Sequence, residues 1–383
     1  MPLSRRGFVR SLGLGSAGAL ALPLVAARLD GAAPDPGLRH GPPPSPLLRL
    51  DRNENPNGPG PEAVAAIQAT LRETCRYPVA LDQELVEAIA AAHGVKPENV
   101  WLGCGSTELL RVALDAFAGA GAGLVTAAPS FENPATYAAA RGVPVTAVPV
   151  DAELRLDLDA MAAKANGAGL VYLCNPNNPT ATAHGAAEVR EFVSRVLASS
   201  PRTAILVDEA YYEYVDDPSY ATAIPLALAD PRVLVLRTFS KVHGLAGLRA
   251  GYAIARPEAI RAMAPYGLPV NVNVLAAAAA RASLGAPAHV ERERVLNRDA
   301  RRFTGEFFQR AGFRMARSEA NFVMVEIGRP VEEFAKACAD RGVAIGRPFP
   351  PLTHHARISI GTMEEMKRAA RVYGELLGVS TGL

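Results

Sequence analysis

The chain has 383 residues, more than one hydrophobic core usually organises, so two units or one large α/β unit with an appendage are expected. Its 49 % apolar and 20 % charged residues are those of a folded globular protein. A net charge of only +2, with no basic stripe interleaved with aromatics, gives no footprint for nucleic acid.

The first thirty or so residues differ from all that follow. Arg5-Arg6-Gly7-Phe8 is followed by a weakly apolar, Gly/Ala-rich run over 12–24 and by small residues at Val25-Ala26-Ala27. This resembles a twin-arginine (Tat) export signal over residues 1–33, with cleavage near Ala27 or Ala33. Carriage by the Tat machinery to the periplasm is expected; an unused signal would leave the chain cytoplasmic. The run is too short for a membrane helix and no later segment reaches about eighteen uninterrupted apolar residues, so an integral membrane protein is not expected.

Residues 34–61 are Pro-rich without periodicity, as in an extended arm. Beyond them, short apolar runs at 123–128, 143–150, 169–174, 204–207, 233–236 and 250–255 alternate with helical stretches. Runs this short and continuous suit strands buried on both faces, which predicts a mostly parallel α/β sheet in a large domain over 62–270. A long Ala/Arg/Glu-rich stretch over 274–314 reads as helix and opens a smaller α+β domain over 271–383, with strands at 321–326 and 356–360 and helices at 331–341 and 363–377.

In an open α/β sheet the chemistry sits just past the strands' C-terminal ends. There the sequence turns polar: Asn175-Pro176-Asn177-Asn178-Pro179-Thr180, Asp208-Glu209-Ala210-Tyr211, and Thr238-Phe239-Ser240-Lys241. A strand-end carboxylate and a strand-end lysine are what carbanion chemistry on pyridoxal 5′-phosphate (PLP) uses, but such a pair alone is more often a cap or an ion pair. The four cysteines, Cys75, Cys104, Cys174 and Cys338, form no C-x-x-C pair, and adjacent His354-His355 point apart in an extended segment; no metal site is expected.

The three blocks together, with Leu245-Ala246-Gly247-Leu248-Arg249-x-Gly251 after the lysine, resemble the fold-type I aminotransferases of class I/II, the histidinol-phosphate aminotransferase family above all. The resemblance implies a large domain with a mostly parallel seven-stranded sheet, PLP as cofactor, and a homodimer. It makes Lys241 the Schiff-base lysine, Asp208 the partner of the pyridine nitrogen, and Asn178 and Tyr211 partners of the phenolic oxygen. It also places Phe131 on the ring face and the phosphate on Gly105, Ser106, Thr107, Thr238, Ser240 and Arg249, with Tyr77 reaching it across a dimer interface. Arg357 becomes the grip on a substrate α-carboxylate, with Asn178 beside it. Arg347, in Gly346-Arg347-Pro348, is either a binder of an acidic or phosphorylated side chain or an ordinary exposed loop arginine.

Amino transfer from an amino acid or a histidinol-phosphate-like donor to a 2-oxo acid such as 2-oxoglutarate is therefore expected, an aromatic or imidazole amino compound being the preferred donor. A PLP-dependent decarboxylase, lyase or oxidase would use the same constellation, and an exported, non-catalytic ligand-binding protein is the reading from another class. Asn57 stands where relatives often carry an aromatic and Ala181 where they carry glycine, which are departures expected near the substrate pocket.

Overall fold

A computed structural model describes residues 47–380. The expected signal, and the arm before Leu47, lie outside the described residues.

The strands in chain order are β1 (Leu48–Leu50), β2 (Val100–Gly103), β3 (Leu124–Ala128), β4 (Val145–Pro149), β5 (Leu170–Cys174), β6 (Ala204–Asp208), β7 (Val233–Thr238), β8 (Gly251–Ala255), β9 (Arg314–Met315), β10 (Phe322–Glu326), β11 (Val343–Ile345) and β12 (His355–Ser359). Seven of them form one sheet in the order β2-β8-β7-β6-β5-β3-β4, in which β8 alone runs against the others. Successive side chains of a strand point to opposite faces, and both faces are covered except at the end strand β4, where only Val148 is buried, so the run at 143–150 is not the doubly covered strand expected. Val171, Leu173, Ile205, Val207, Val233 and Val235 enter one core; Leu170, Tyr172, Leu206, Leu234 and Leu236 enter the other.

β12, β10 and β9 form a small antiparallel sheet around which Phe307, Phe308, Phe334 and Tyr373 pack. The helix Met363–Leu377 behind it starts on a capping box, Thr362 accepting from the Glu365 amide and Glu365 from the Thr362 amide, and stops at Gly378 with φ 69°. β1 pairs in parallel with β11, so residues 48–50 in the middle of the expected arm are a strand of this smaller unit, with Leu48 and Leu50 in its core.

The long helix expected over 274–314 is two helices, Val274–Leu284 and Pro287–Arg310, because Gly285 and Pro287 interrupt it. The first packs on the helices Pro61–Thr70 and Val79–His93, and its alanines belong to the core of the large sheet. β9 and β11, two and three residues long, carried too few residues to read as strands in advance, and β2 was not read as one. Among the described residues no helix is long and apolar enough to cross a membrane.

Candidate active site

The C-terminal ends of β2, β3, β5, β6 and β7 and the start of β8 lie along one edge of the large sheet; Gly251 pairs with both Gly103 and Thr238, and Asp208 with Cys174. Every polar block singled out in the sequence is gathered on that edge. The loops are stitched to each other: Asn177 donates to the Pro129 carbonyl at 3.1 Å and accepts from Ser130 Oγ at 2.8 Å. Below them the buried Arg237 donates to Glu209 Oε2 at 2.8 Å and lies 3.5 Å over the Tyr212 ring, tying the turn after β6 to β7.

Asp208 is 3 % exposed. It accepts from the Tyr172 hydroxyl at 2.9 Å and from the Ala210 amide at 3.2 Å, and burial pushes its pKa up to about 6. Lys241 is half-buried; its Nζ donates to the Asn53 carbonyl at 3.1 Å and lies 5.3 Å from the Tyr211 ring centroid. Burial first, then the charge of Arg357, pulls its pKa down to about 8, against the opposing pull of Glu54 and Asp208. Tyr211 packs edge-on to Phe322, its hydroxyl accepts from Asn53 Nδ2 at 3.3 Å, and burial raises its pKa.

Gly105, with φ 73°, precedes the helix Ser106–Phe117, and a Cβ there would stand 2.4 Å from Arg249 Nη2. A Cβ on Gly251 would stand 2.5 Å from the Ser106 amide nitrogen. Two glycines thus keep a concave surface of free amides open under a guanidinium, and the dipole of a twelve-residue helix adds to its positive potential. Ser240 Oγ accepts from Thr238 at 2.8 Å and lies 3.5 Å from Arg249 Nη1. This cup suits a phosphate, and with Asp208 and Lys241 on the same edge the residues present fit a pyridine ring carrying one. Phe131, half-buried after β3, packs into the core on the Tyr172 face.

Arg357 on β12 donates to Asn178 Oδ1 at 2.8 Å and to the Asp51 carbonyl at 2.6 Å, while its buried Nε has no partner. Its guanidinium lies 4.6 Å from the Phe349 ring centroid and 5.7 Å from that of Phe322. Arg347 flanks the same Phe349 ring at 4.3 Å but is exposed and paired with Glu132. Tyr77 is 86 % exposed.

Asn57 donates to the buried Glu293 at 2.6 Å, so it serves the long helix rather than Arg357 or Lys241. Asn53, Asp51, Tyr172 and Phe349 belong to the site but were not singled out in advance. For Asn53 a signal existed, since asparagine tolerates the left-handed backbone it adopts here, φ 54°. Among the described residues no cluster of His, Cys, Asp or Glu could hold a metal ion.

Residues 45–372 match the family "Aminotransferase class I and II". The chain belongs to the class I and II aminotransferases. Histidinol-phosphate aminotransferase of Symbiobacterium thermophilum is 39 % identical over 335 residues, covering 87 % of this chain and 91 % of that one. The aromatic amino acid aminotransferase of Thermobifida fusca is 37 % identical over 346 residues, covering 90 % and 94 %. Among solved structures, the histidinol-phosphate aminotransferase of Sinorhizobium meliloti in complex with PLP superposes with a TM-score of 0.80 at 28 % identity, covering 87 % of this chain and 91 % of that one. This aminotransferase is thus a PLP-dependent transaminase of fold type I, with the seven-stranded sheet and smaller unit that the family implies.

Proposed function

We propose that this PLP-dependent aminotransferase takes its amino group from an aromatic or imidazole amino compound, histidinol phosphate included, and passes it to a 2-oxo acid such as 2-oxoglutarate. The observation that carries the reading is the placement of a low-pKa amine, Lys241, and a buried carboxylate, Asp208, beside one phosphate-shaped cup. PLP, when bound, supplies an electron sink conjugated with the substrate's α-carbon. The chain supplies the rest. With PLP bound, Lys241 would anchor it and, once free, carry the α-proton; Asp208 would keep the pyridine nitrogen protonated; Asn178 and Tyr211 would bond the phenolic oxygen; Phe131 would lie against the ring.

Gly105, Ser106, Thr107, Thr238, Ser240 and Arg249 would hold the phosphate, and the Arg357 fork would take the α-carboxylate. The rings of Phe322 and Phe349 beside Arg357 favour an aromatic donor. Exposed Tyr77 lies between exposed Leu71 and Val79, apolar surface that a second copy would cover, which supports a homodimer with Tyr77 completing the partner's cup. The twin-arginine motif supports periplasmic export, and N-terminal sequencing of the mature protein that returned Met1 would sink that proposal.

The test is the visible spectrum of the PLP-loaded protein against a panel of amino donors. A shift to the amino form of the cofactor with an aromatic or imidazole donor, reversed by 2-oxoglutarate, is expected. Carbon dioxide release or oxygen uptake without that reversal would move the protein to a decarboxylase or an oxidase.

A further inference from the structure

The segment 51–53 lies between the two halves of the site. The Asp51 carbonyl accepts from Arg357 at 2.6 Å, and the Asn53 carbonyl accepts from Lys241 at 3.1 Å and from Asn321 at 3.0 Å. Asn53 is 1 % exposed and left-handed, φ 54°. Its amide donates to Ser359 Oγ at 2.8 Å, its Oδ1 accepts that hydroxyl's hydrogen at 2.9 Å, and its Nδ2 donates to the Tyr211 hydroxyl at 3.3 Å. Ser359 is two residues from Arg357 on β12, so both side chains leave the same face of that strand.

One residue therefore uses its backbone N–H, its carbonyl and both atoms of its amide, and these bonds reach Ser359 on β12 and Asn321, the residue just before β10, on one side and Lys241 and Tyr211 on the other. A hydroxyl with a single hydrogen can serve Asn53 Oδ1 while accepting from the Asn53 amide only in this pairing, so the Ser359 contact fixes the orientation of both groups. The left-handed backbone is what aims the carbonyl at Nζ while the side chain turns to Tyr211.

We infer that Asn53 is a positioning residue for transamination: it holds the Lys241 amine and the Tyr211 hydroxyl in fixed relation to the strand that carries Arg357. The inference rests on the roles given above to Lys241, Tyr211 and Arg357. Asparagine chosen only to fill a left-handed corner would be replaceable by glycine without effect on the amine; a positioning residue would not.

Asn53→Gly keeps the left-handed backbone and deletes the side-chain bonds, and Ser359→Ala cuts the tie from the other end without touching Lys241. The titration of Lys241 is read in the full chain stripped of cofactor, from the pH dependence of its modification by dinitrofluorobenzene, with the Lys241 peptide followed by mass spectrometry. As the amine loosens and gains water, its midpoint should move up toward the ordinary lysine value in Asn53→Gly, and in the same direction by less in Ser359→Ala. In the loaded enzyme kcat should fall by about 10- to 100-fold, the loss expected of misplacement by a fraction of an ångström to an ångström, with KM for the 2-oxo acid changed far less.

An unmoved Lys241 midpoint in both variants, with only a lower melting temperature, would overturn the inference and make Asn53 a structural corner. If Asn53→Gly does not fold, Ser359→Ala decides alone, an upward shift supporting the inference and an unmoved midpoint overturning it. Failure of the functional reading is separate: it shows as wild-type protein that forms no PLP absorption band through Lys241.

Discussion

The Tyr172 hydroxyl donates to Asp208 Oδ2 at 2.9 Å from the neighbouring strand, inside the covered sheet. Among the described residues the Ala210 amide is the other partner of Asp208, and burial of a carboxylate that is 3 % exposed outweighs these two bonds and pushes its pKa up to about 6 from 3.8. With the folded-state value raised, the folded protein binds the proton more tightly than the unfolded chain does. The penalty is absent below about pH 4, grows through about pH 6 and is full above, on the order of 3 kcal/mol. Asp208→Asn removes that penalty but leaves the Ala210 amide facing a poorer acceptor, about 1 kcal/mol the other way. The cofactor-free variant should therefore melt higher than wild type at pH 8, by about 2 kcal/mol, and show no gain at pH 4. Its transamination should fall by orders of magnitude because the proton on the pyridine nitrogen is no longer held. Thermal melts of both proteins at the two pH values decide it; a lower melting point at pH 8 sinks the account.

Lys241 is displaced the other way. Its folded pKa is lowered to about 8, so the charged amine destabilises the folded chain below that pH, and stability from this group returns as pH rises from about 8 toward 10.5. Capture of PLP by the cofactor-free protein should then rise through a midpoint near pH 8, against the 10.5 of an ordinary lysine. Arg357 is the largest charge acting on it, so Arg357→Met should move that midpoint upward. A midpoint that stays put would show that burial alone sets the amine, and Lys241→Ala should abolish turnover while leaving the fold intact.

Much of this was legible before any coordinates. The runs that became β3 and β5 to β8 are mostly apolar because both faces of the sheet are covered there, whereas β4, at the end of the sheet, is exposed at all but Val148; a parallel sheet sends its polar residues to one edge, where Asn178, Asp208, Tyr211 and Lys241 meet. What stayed hidden lies in contacts across long sequence separations. Nothing local says that Asn53 will meet Ser359, 306 residues away, or that Leu48–Leu50 will pair with Val343–Ile345. Tyr172 was hidden for another reason: inside an apolar run it reads as one more core side chain, and only the register of β5 against β6 turns its hydroxyl to Asp208.

Arg357 has two neutral partners, Asn178 and the Asp51 carbonyl, and a buried Nε with none. Burial lowers its pKa below the usual arginine value, so an arriving carboxylate supplies the counter-charge this fork lacks. Arg357→Lys keeps the charge and loses the planar fork. KM for the 2-oxo acid should rise by about 10- to 100-fold, or roughly 1.4 to 2.8 kcal/mol, with kcat much less affected. Steady-state kinetics with 2-oxoglutarate varied at saturating donor measures the split, and an unchanged KM would remove Arg357 from the carboxylate site.

The contact between Gly105 and Arg249 can be tested by a thermodynamic cycle. Alanine at 105 must adopt φ 73° with ψ 162°, a region only glycine enters freely, about 1–3 kcal/mol of backbone strain, and its Cβ would stand 2.4 Å from Arg249 Nη2. Arg249 has little freedom to give way, since its own backbone is left-handed at φ 62° and its Nη1 donates to the Ala246 carbonyl at 3.0 Å. The guanidinium must leave the cup, so Gly105→Ala should weaken PLP binding by 10-fold or more, about 1.4 kcal/mol at least. Arg249→Ala should weaken it as well, by removing the charged fork. If the damage done by Gly105→Ala passes mainly through Arg249, the double variant should bind PLP little worse than Arg249→Ala alone, leaving an interaction energy of about 1 kcal/mol or more in the cycle. Strictly additive losses, read by fluorescence titration of the cofactor-free proteins, would mean that the glycine serves the phosphate independently of the arginine.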